Sequence, residues 1–100
     1  MKEVVALARA ESHLVALYAK LEDSREGLGD RFDADYRAAC IRLESFPEIG
    51  PRFVGRIRRL LLLKWSVALF YVVESDRVVI HAALDVRQSP EHIRRELGLI

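Results

Sequence analysis

The stretch that decides the fold is residues 56–84, RIRRLLLLKWSVALFYVVESDRVVIHAAL. It contains three runs rich in Leu, Val, Ile and aromatic residues, at Arg56–Leu63, Val67–Glu74 and Val78–Leu84, and none of them has a helical period. The polar residues 74–77, ESDR, separate the last two runs, so we predict that these two pair as an antiparallel hairpin. The stretch therefore predicts three consecutive strands of one sheet.

Alternation along the first of these strands places a different set of side chains on each face of the sheet. The two sets are Arg56, Arg58, Leu60, Leu62 and Lys64 on one face, and Ile57, Arg59, Leu61 and Leu63 on the other. The beginning of the strand is basic, and its centre is apolar on both faces. We therefore expect helices of this chain to cover one face and a partner to occupy the other.

The residues before the sheet predict an antiparallel pair of helices. Apolar residues at helical spacing indicate a first helix over Ala8–Glu22 and a second that runs from near Asp30 until Pro47 stops it. The segment Asp23–Gly29, with two glycines and a serine, is typical of a tight connection between helices. Residues Met1–Ala6 favour a short edge strand because they include two valines.

A short third helix is predicted after the sheet. Ser89 is a favourable N-cap, Pro90 suits the first helical position, and Glu91 lies near the positive end of the helix dipole. This helix should cover Pro90–Leu97 and end at Gly98. The expected fold is therefore α+β, with an N-terminal helical hairpin packed on a small antiparallel β-sheet and a short C-terminal helix.

Composition limits the remaining possibilities. A chain of 100 residues, 51% apolar and 31% charged, predicts a single folded domain over residues 1–100. Its apolar runs are far shorter than the roughly 20 residues that span a bilayer, and residues 1–11 lack the apolar core of a signal peptide. We therefore expect a cytoplasmic protein without a membrane partner. Cys40 has no second thiol to pair with, and no histidines have metal-ligand spacing, so we expect no metal and no cofactor.

Charge is unevenly distributed along the chain. Residues 1–50 carry 7 basic and 10 acidic side chains, whereas residues 51–100 carry 9 basic and 5 acidic ones, for net charges of −3 and +4. An acidic partner or a polyanion would therefore prefer the second half.

Four short segments carry a resemblance to a known family, and their order and spacing make it fairly specific. They are Gly27–Phe32 (GLGDRF), Phe46–Gly50 (FPEIG), Leu69–Val73 (LFYVV) and Ala83–Pro90 (ALDVRQSP). With them, nearly the whole chain resembles the ParE branch of the ParE/RelE toxin superfamily, often labelled plasmid-stabilisation proteins.

The chain departs from this pattern in two places. Many family members have histidine where this chain has Asp85, and the family commonly shows an aromatic residue followed by proline where this chain has Trp65-Ser66.

The resemblance implies the toxin of a type II toxin-antitoxin system. Such toxins bind a small cognate antitoxin that wraps an extended or helical segment over them, so a hetero-oligomer is expected. ParE-like members poison DNA gyrase by binding it, whereas RelE-like members cut messenger RNA on the ribosome. A degenerate, non-toxic binding homologue is a third possibility.

The choice between gyrase and RNA depends on which groups could cleave RNA. Metal-free cleavage needs cations for the phosphate and a proton carrier. The candidate catalytic set is Arg56, Arg58, Lys64 and Arg87 as cations with His81 as acid or base. RelE-like enzymes often add a C-terminal tyrosine or histidine, and residues 93–100 contain neither. We therefore favour the non-enzymatic gyrase inhibitor, with the ribosome-dependent endoribonuclease as the alternative.

The resemblance and the charge pattern together assign binding roles. The expected target-binding residues are Arg87, Arg58 and Arg59, and the expected antitoxin-binding residues are Arg56, Trp65, Phe70 and Tyr71. Structural interpretations compete with each role. The arginines would also suit a solvated sheet edge, and the aromatic residues would suit sheet packing.

Overall fold

The computed structural model describes residues 1–100 and contains three helices and five strands. In chain order the elements are β1 (Glu3–Ala6), α1 (Ala8–Ser24), α2 (Leu28–Ser45), β2 (Arg52–Val54), β3 (Ile57–Leu62), β4 (Val67–Val73), β5 (Arg77–Asp85) and α3 (Pro90–Glu96). The α+β class, the helical hairpin and the short third helix are confirmed.

The five strands form one sheet in the order β1-β5-β4-β3-β2. The predicted hairpin is its centre, with β4 paired to β5 from Val73↔Val78 to Val67↔Asp85 and a bulge after Phe70. The other pairs are antiparallel except β1, which runs parallel to β5, so the sheet is mixed rather than purely antiparallel. The expected edge strand in residues 1–6 is confirmed as β1, whereas β2, only three residues long, was not predicted.

One face of the sheet is covered by α1 and α2, as expected. The core on this side combines helix residues such as Phe32, Ala39 and Leu43 with alternate residues of β3, β4 and β5. Leu60 and Leu62 point into it from β3, which confirms the predicted alternation of that strand.

The second face is not left open over the centre of the sheet, and here the prediction of a partner-covered face is wrong. Ile93 and Leu97, on and just after α3, pack over four side chains of β4 and β5. Those four residues are Ala68, Phe70, Ala82 and Leu84. The short helix therefore supplies the second cover that two almost entirely apolar strands require.

The connection between α1 and α2 is tighter than predicted, because α2 begins at Leu28 rather than near Asp30. Glu22 accepts hydrogen bonds from the backbone N–H groups of Gly27 (2.9 Å) and Gly29 (3.0 Å), and so satisfies donors at the start of α2. A Cβ atom on Gly29 would lie 2.9 Å from the carbonyl oxygen of Tyr18. The GLGDRF motif is thus explained by close helix packing.

The strand β3 ends one residue earlier than predicted, because Leu63–Trp65 form a 3-10 turn. Lys64 therefore leaves the strand. The turn closes with Ser66 at φ 54°, a left-handed conformation. Proline is restricted to φ near −65° and could not occupy the position of Ser66. The turn at Trp65-Ser66 therefore has a conformation that the family's aromatic-proline pair could not adopt.

The third helix begins as predicted, with the Ser89 side chain accepting a hydrogen bond from the His92 N–H at 3.2 Å. Gly98, at φ 75°, follows it in the left-handed conformation expected after a helix. None of the three helices combines the length and the apolar character needed to cross a bilayer.

We predict that Gly29→Ala destabilises the protein by about 1 to 3 kcal/mol, because the added methyl group would overpack the contact with Tyr18. Helix propensity alone predicts the opposite sign, a gain of about 1 kcal/mol for Gly→Ala inside a helix. Urea unfolding followed by circular dichroism decides between the two. Equal or greater stability of the variant would contradict the close packing described.

Candidate partner-binding surface

Arg58 is engaged within the protein itself. Its guanidinium donates hydrogen bonds to the carbonyl oxygens of Gly50 (2.9 Å) and Glu48 (3.3 Å), and its side chain is only 17% exposed. Arg58 therefore holds the loop between α2 and β2, and the structure corrects its expected role as a free target-binding or catalytic cation.

Tyr71 holds the same loop from the core. Its hydroxyl oxygen accepts the Gly50 N–H at 2.9 Å, and a Cβ atom on Gly50 would lie 2.7 Å from the Arg59 carbonyl oxygen. Burial raises the pKa of Tyr71, so the phenol stays protonated. The FPEIG motif is thus explained by a loop that passes close to the sheet.

Phe70 and Tyr71 are both completely buried, on opposite faces of the sheet. The Phe70 ring packs edge-on against Phe53 at 5.2 Å between centroids. The predicted contact of Phe70 and Tyr71 with an antitoxin is therefore corrected, because neither side chain reaches the surface.

Trp65 is half-buried and is tied to α2. Its indole N–H donates to the Asp35 carboxylate at 2.8 Å, and its ring meets Phe32 edge-on at 5.6 Å between centroids. The Lys64 ammonium lies 5.6 Å from the Trp65 ring centroid. Only the exposed part of the Trp65 ring could contact a partner.

The exposed apolar surface next to the arginines lies on β3 and at the start of the 3-10 turn that follows it. Leu61 is 42% exposed and the following Leu63 is 79% exposed, while Arg59 lies beside Leu61 with its guanidinium 5.5 Å from the Phe53 ring centroid. We call Arg59, Leu61 and Leu63 the β3 strip. The strip stays uncovered because α3 packs over β4 and β5.

The backbone beside the β3 strip is also open. The edge strand β2 pairs only with Ile57 and Arg58, and the last backbone bond on that side runs from the Arg59 N–H to the Pro51 carbonyl at 3.0 Å. Since outward-facing peptide groups alternate along a strand, the N–H and C=O of Leu61 face the same side as those of Arg59. We call this unpaired segment the open β3 edge.

The residues proposed for RNA cleavage do not converge. Arg56 and Lys64 flank β3 at opposite ends, and this six-residue strand is about 20 Å long. Arg56 donates to the Val73 carbonyl at 3.1 Å. His81 lies at the β5 bulge, separated from β3 by β4, and burial lowers its pKa.

Arg87 is exposed but is paired with Asp85. The guanidinium donates to both carboxylate oxygens, at 2.9 and 2.6 Å, and the Arg87 backbone N–H donates at 2.8 Å. These bonds hold the pKa of Asp85 at about 2. The arginine side chain remains 72% exposed, so its unused donors can still meet a partner.

Leu61, Leu63 and Asp85 were not among the predicted site residues. Alternation did place the two leucines with Arg59 on one face of the sheet. What it could not show was that α3 would cover the two central strands and leave β3 uncovered.

Comparison with known proteins supports the fold. No family model matches the chain, and no curated protein matches its sequence. A solved chain described as "Chromosomal ParDE TA system from P. aeruginosa" superposes with a TM-score of 0.76 at 19% sequence identity, covering 86% of this chain and 97% of that one. The protein therefore has a ParE-like fold. The fold that the resemblance implied is confirmed.

We predict that Tyr71→Phe destabilises the protein by about 1 to 3 kcal/mol, because the buried Gly50 N–H loses its acceptor. The matched control is Tyr18→Phe, which removes a hydroxyl group bonded to Asp30 at the surface and should cost under about 1 kcal/mol. Urea unfolding measures both variants. Equal losses of stability in the two variants would contradict the larger contribution that we assign to the hydrogen bond at Gly50.

Proposed function

We propose that this protein is the toxin of a type II toxin-antitoxin pair, held inactive by a cognate antitoxin and acting on DNA gyrase by binding. The fold likeness supports the class of protein. The observation that carries the proposal is the open β3 edge beside the β3 strip, because it offers backbone, apolar and cationic groups together.

The antitoxin would bind as an added strand along the open β3 edge. The unpaired peptide groups of Leu61 would supply the backbone bonds, and Leu63 would supply apolar contact. Two cationic residues flank Leu61 along the chain at this edge, Arg59 before it and Lys64 after it. An extended segment that alternates apolar and acidic residues would complement this surface, and the complex would be a hetero-oligomer in the cytoplasm.

Action by binding fits the geometry better than RNA cleavage. Of the five groups proposed for cleavage, Arg58 lies on β3 and His81 on β5, whereas Arg56, Lys64 and Arg87 lie on connections at different ends of the sheet. A binding site does not require them to meet. Arg87 is the best candidate contact with the target, since it follows the end of β5 and its side chain is 72% exposed.

We expect expression of this chain alone to stop growth, and the purified protein to inhibit supercoiling by gyrase. Arg87→Ala should raise the toxin concentration that inhibits supercoiling by half by at least about tenfold, which is the effect of losing one charge-assisted hydrogen bond. Arg25→Ala, at the exposed tip of the helical hairpin, is the matched control and should change nothing. Unaffected supercoiling with messenger RNA truncated on ribosomes would overturn the gyrase proposal.

We predict that Leu61→Pro weakens binding of the antitoxin, taken as the small protein encoded in the adjacent reading frame, by at least about tenfold. Proline removes the outward N–H and leaves the bonds to β4 in place, as proline does on edge strands. Leu61→Ala keeps that N–H and should bind more tightly than Leu61→Pro. Calorimetry measures both variants, and equal affinities would exclude strand addition at Leu61.

A further inference from the structure

The outer edge of β5 is only partly covered by a strand. The short strand β1 pairs with residues Arg77–Ile80, and the next backbone bond, from the Leu7 N–H to the Ile80 carbonyl at 2.9 Å, is the last on that side. Beyond it, side chains of α1 take the place of a strand. Arg9 donates to the His81 carbonyl at 3.4 Å, and the His13 Nδ1 accepts the Ala83 N–H at 3.3 Å.

The His13 imidazole also reaches α3. Its Nε2 lies 3.6 Å from a Glu96 carboxylate oxygen, and the His92 Nε2 lies 4.0 Å from the same oxygen. The His13 side chain is 16% exposed and lines a cleft of about 200 Å³ between α1, β5 and α3. One imidazole therefore joins a helix on one face of the sheet, the edge of β5, and the helix on the other face.

This geometry fixes the protonation state of His13. Because Nδ1 accepts a hydrogen bond, it carries no proton, so the ring is neutral with its proton on Nε2, facing Glu96. A second proton, on Nδ1, would point at the Ala83 N–H and break that bond. The cationic ring would gain attraction to Glu96 in exchange.

The surroundings decide which of these opposing effects is larger. Burial is the main cause that lowers the pKa of His13, and Arg9 and His92 lower it further, while Glu96 raises it. Lys20 and Asp85 also line the cleft, and the Asp85 carboxylate is already paired with Arg87. The net effect is a lowered pKa, so the neutral ring is the stable form in the folded protein.

We propose that His13 is a pH-sensitive clasp that holds α1 against the edge of β5 through the Ala83 N–H when it is neutral, and gives up this bond for an ion pair with Glu96 of α3 when it is protonated. A folded-state pKa below the usual 6.5 means that the unfolded chain takes up the proton first. The contribution of the clasp is therefore complete above about pH 6.5 and is lost as the pH falls through the lowered pKa. This inference goes beyond the proposed function and does not depend on it.

The test compares the wild-type chain with His13→Asn, whose Oδ1 can accept the Ala83 N–H without titrating. Amide exchange at Ala83 would be followed by NMR between about pH 8 and about pH 5, after correction for intrinsic exchange rates. We expect matching protection at the upper end, and exchange several-fold faster in the wild type than in His13→Asn at the lower end. Equal pH profiles for the two chains would overturn the proposal.

Two further measurements separate His13 from its neighbours. His92→Asn removes the other imidazole that faces Glu96, and it should keep the loss of protection at Ala83 at low pH, with only a small rise in its midpoint because His92 helps to lower the pKa of His13. A profile flattened by His92→Asn would assign the pH response to His92 and overturn the proposal. Direct NMR titration of the wild-type His13 ring needs no variant, and a midpoint at or above about 6.5 would also contradict the clasp.

Discussion

The structure depends on the pairing of two almost entirely apolar strands, β4 and β5, which have to be covered on both faces. The helices α1 and α2 cover one face, and α3 with the residues after it covers the other. Because hydrophobic burial is the main favourable term in folding, this two-sided cover supplies much of the stability of the fold. Little apolar surface is left for a partner on the faces of the central strands.

The surface available to a partner lies at the edges of the sheet. The outer edges of β5 and β3 differ in how far this chain covers them. Along β5 the side chains of Arg9 and His13 occupy the peptide groups that β1 does not reach. Along β3 no such cover exists beyond Arg59, and two exposed leucines lie beside unpaired peptide groups. Exposed edges invite strand pairing, so the open β3 edge is the place where this fold favours a second polypeptide.

Much of the fold could be predicted from local patterns. Periodicity gave the helices and the three long strands, and the Ser89 cap and Gly98 gave the limits of α3. The candidate site was less predictable, because contacts between distant parts of the chain determine which of its residues are buried and which are exposed. Arg58 and Tyr71 have the residue types of a functional site, yet both hold the loop at Gly50. The packing of α3 and of Phe53 distinguishes buried Phe70 from exposed Leu61.

This chain seals the middle of the sheet, while the edge at Leu61 is open. Hydrogen-deuterium exchange of the isolated protein measures both features residue by residue. We expect fast exchange of the Leu61 amide between slowly exchanging neighbours at Leu60 and Leu62, and strong protection throughout β4. Protection of Leu61 equal to that of its neighbours, or rapid exchange at Phe70 and Tyr71, would contradict it.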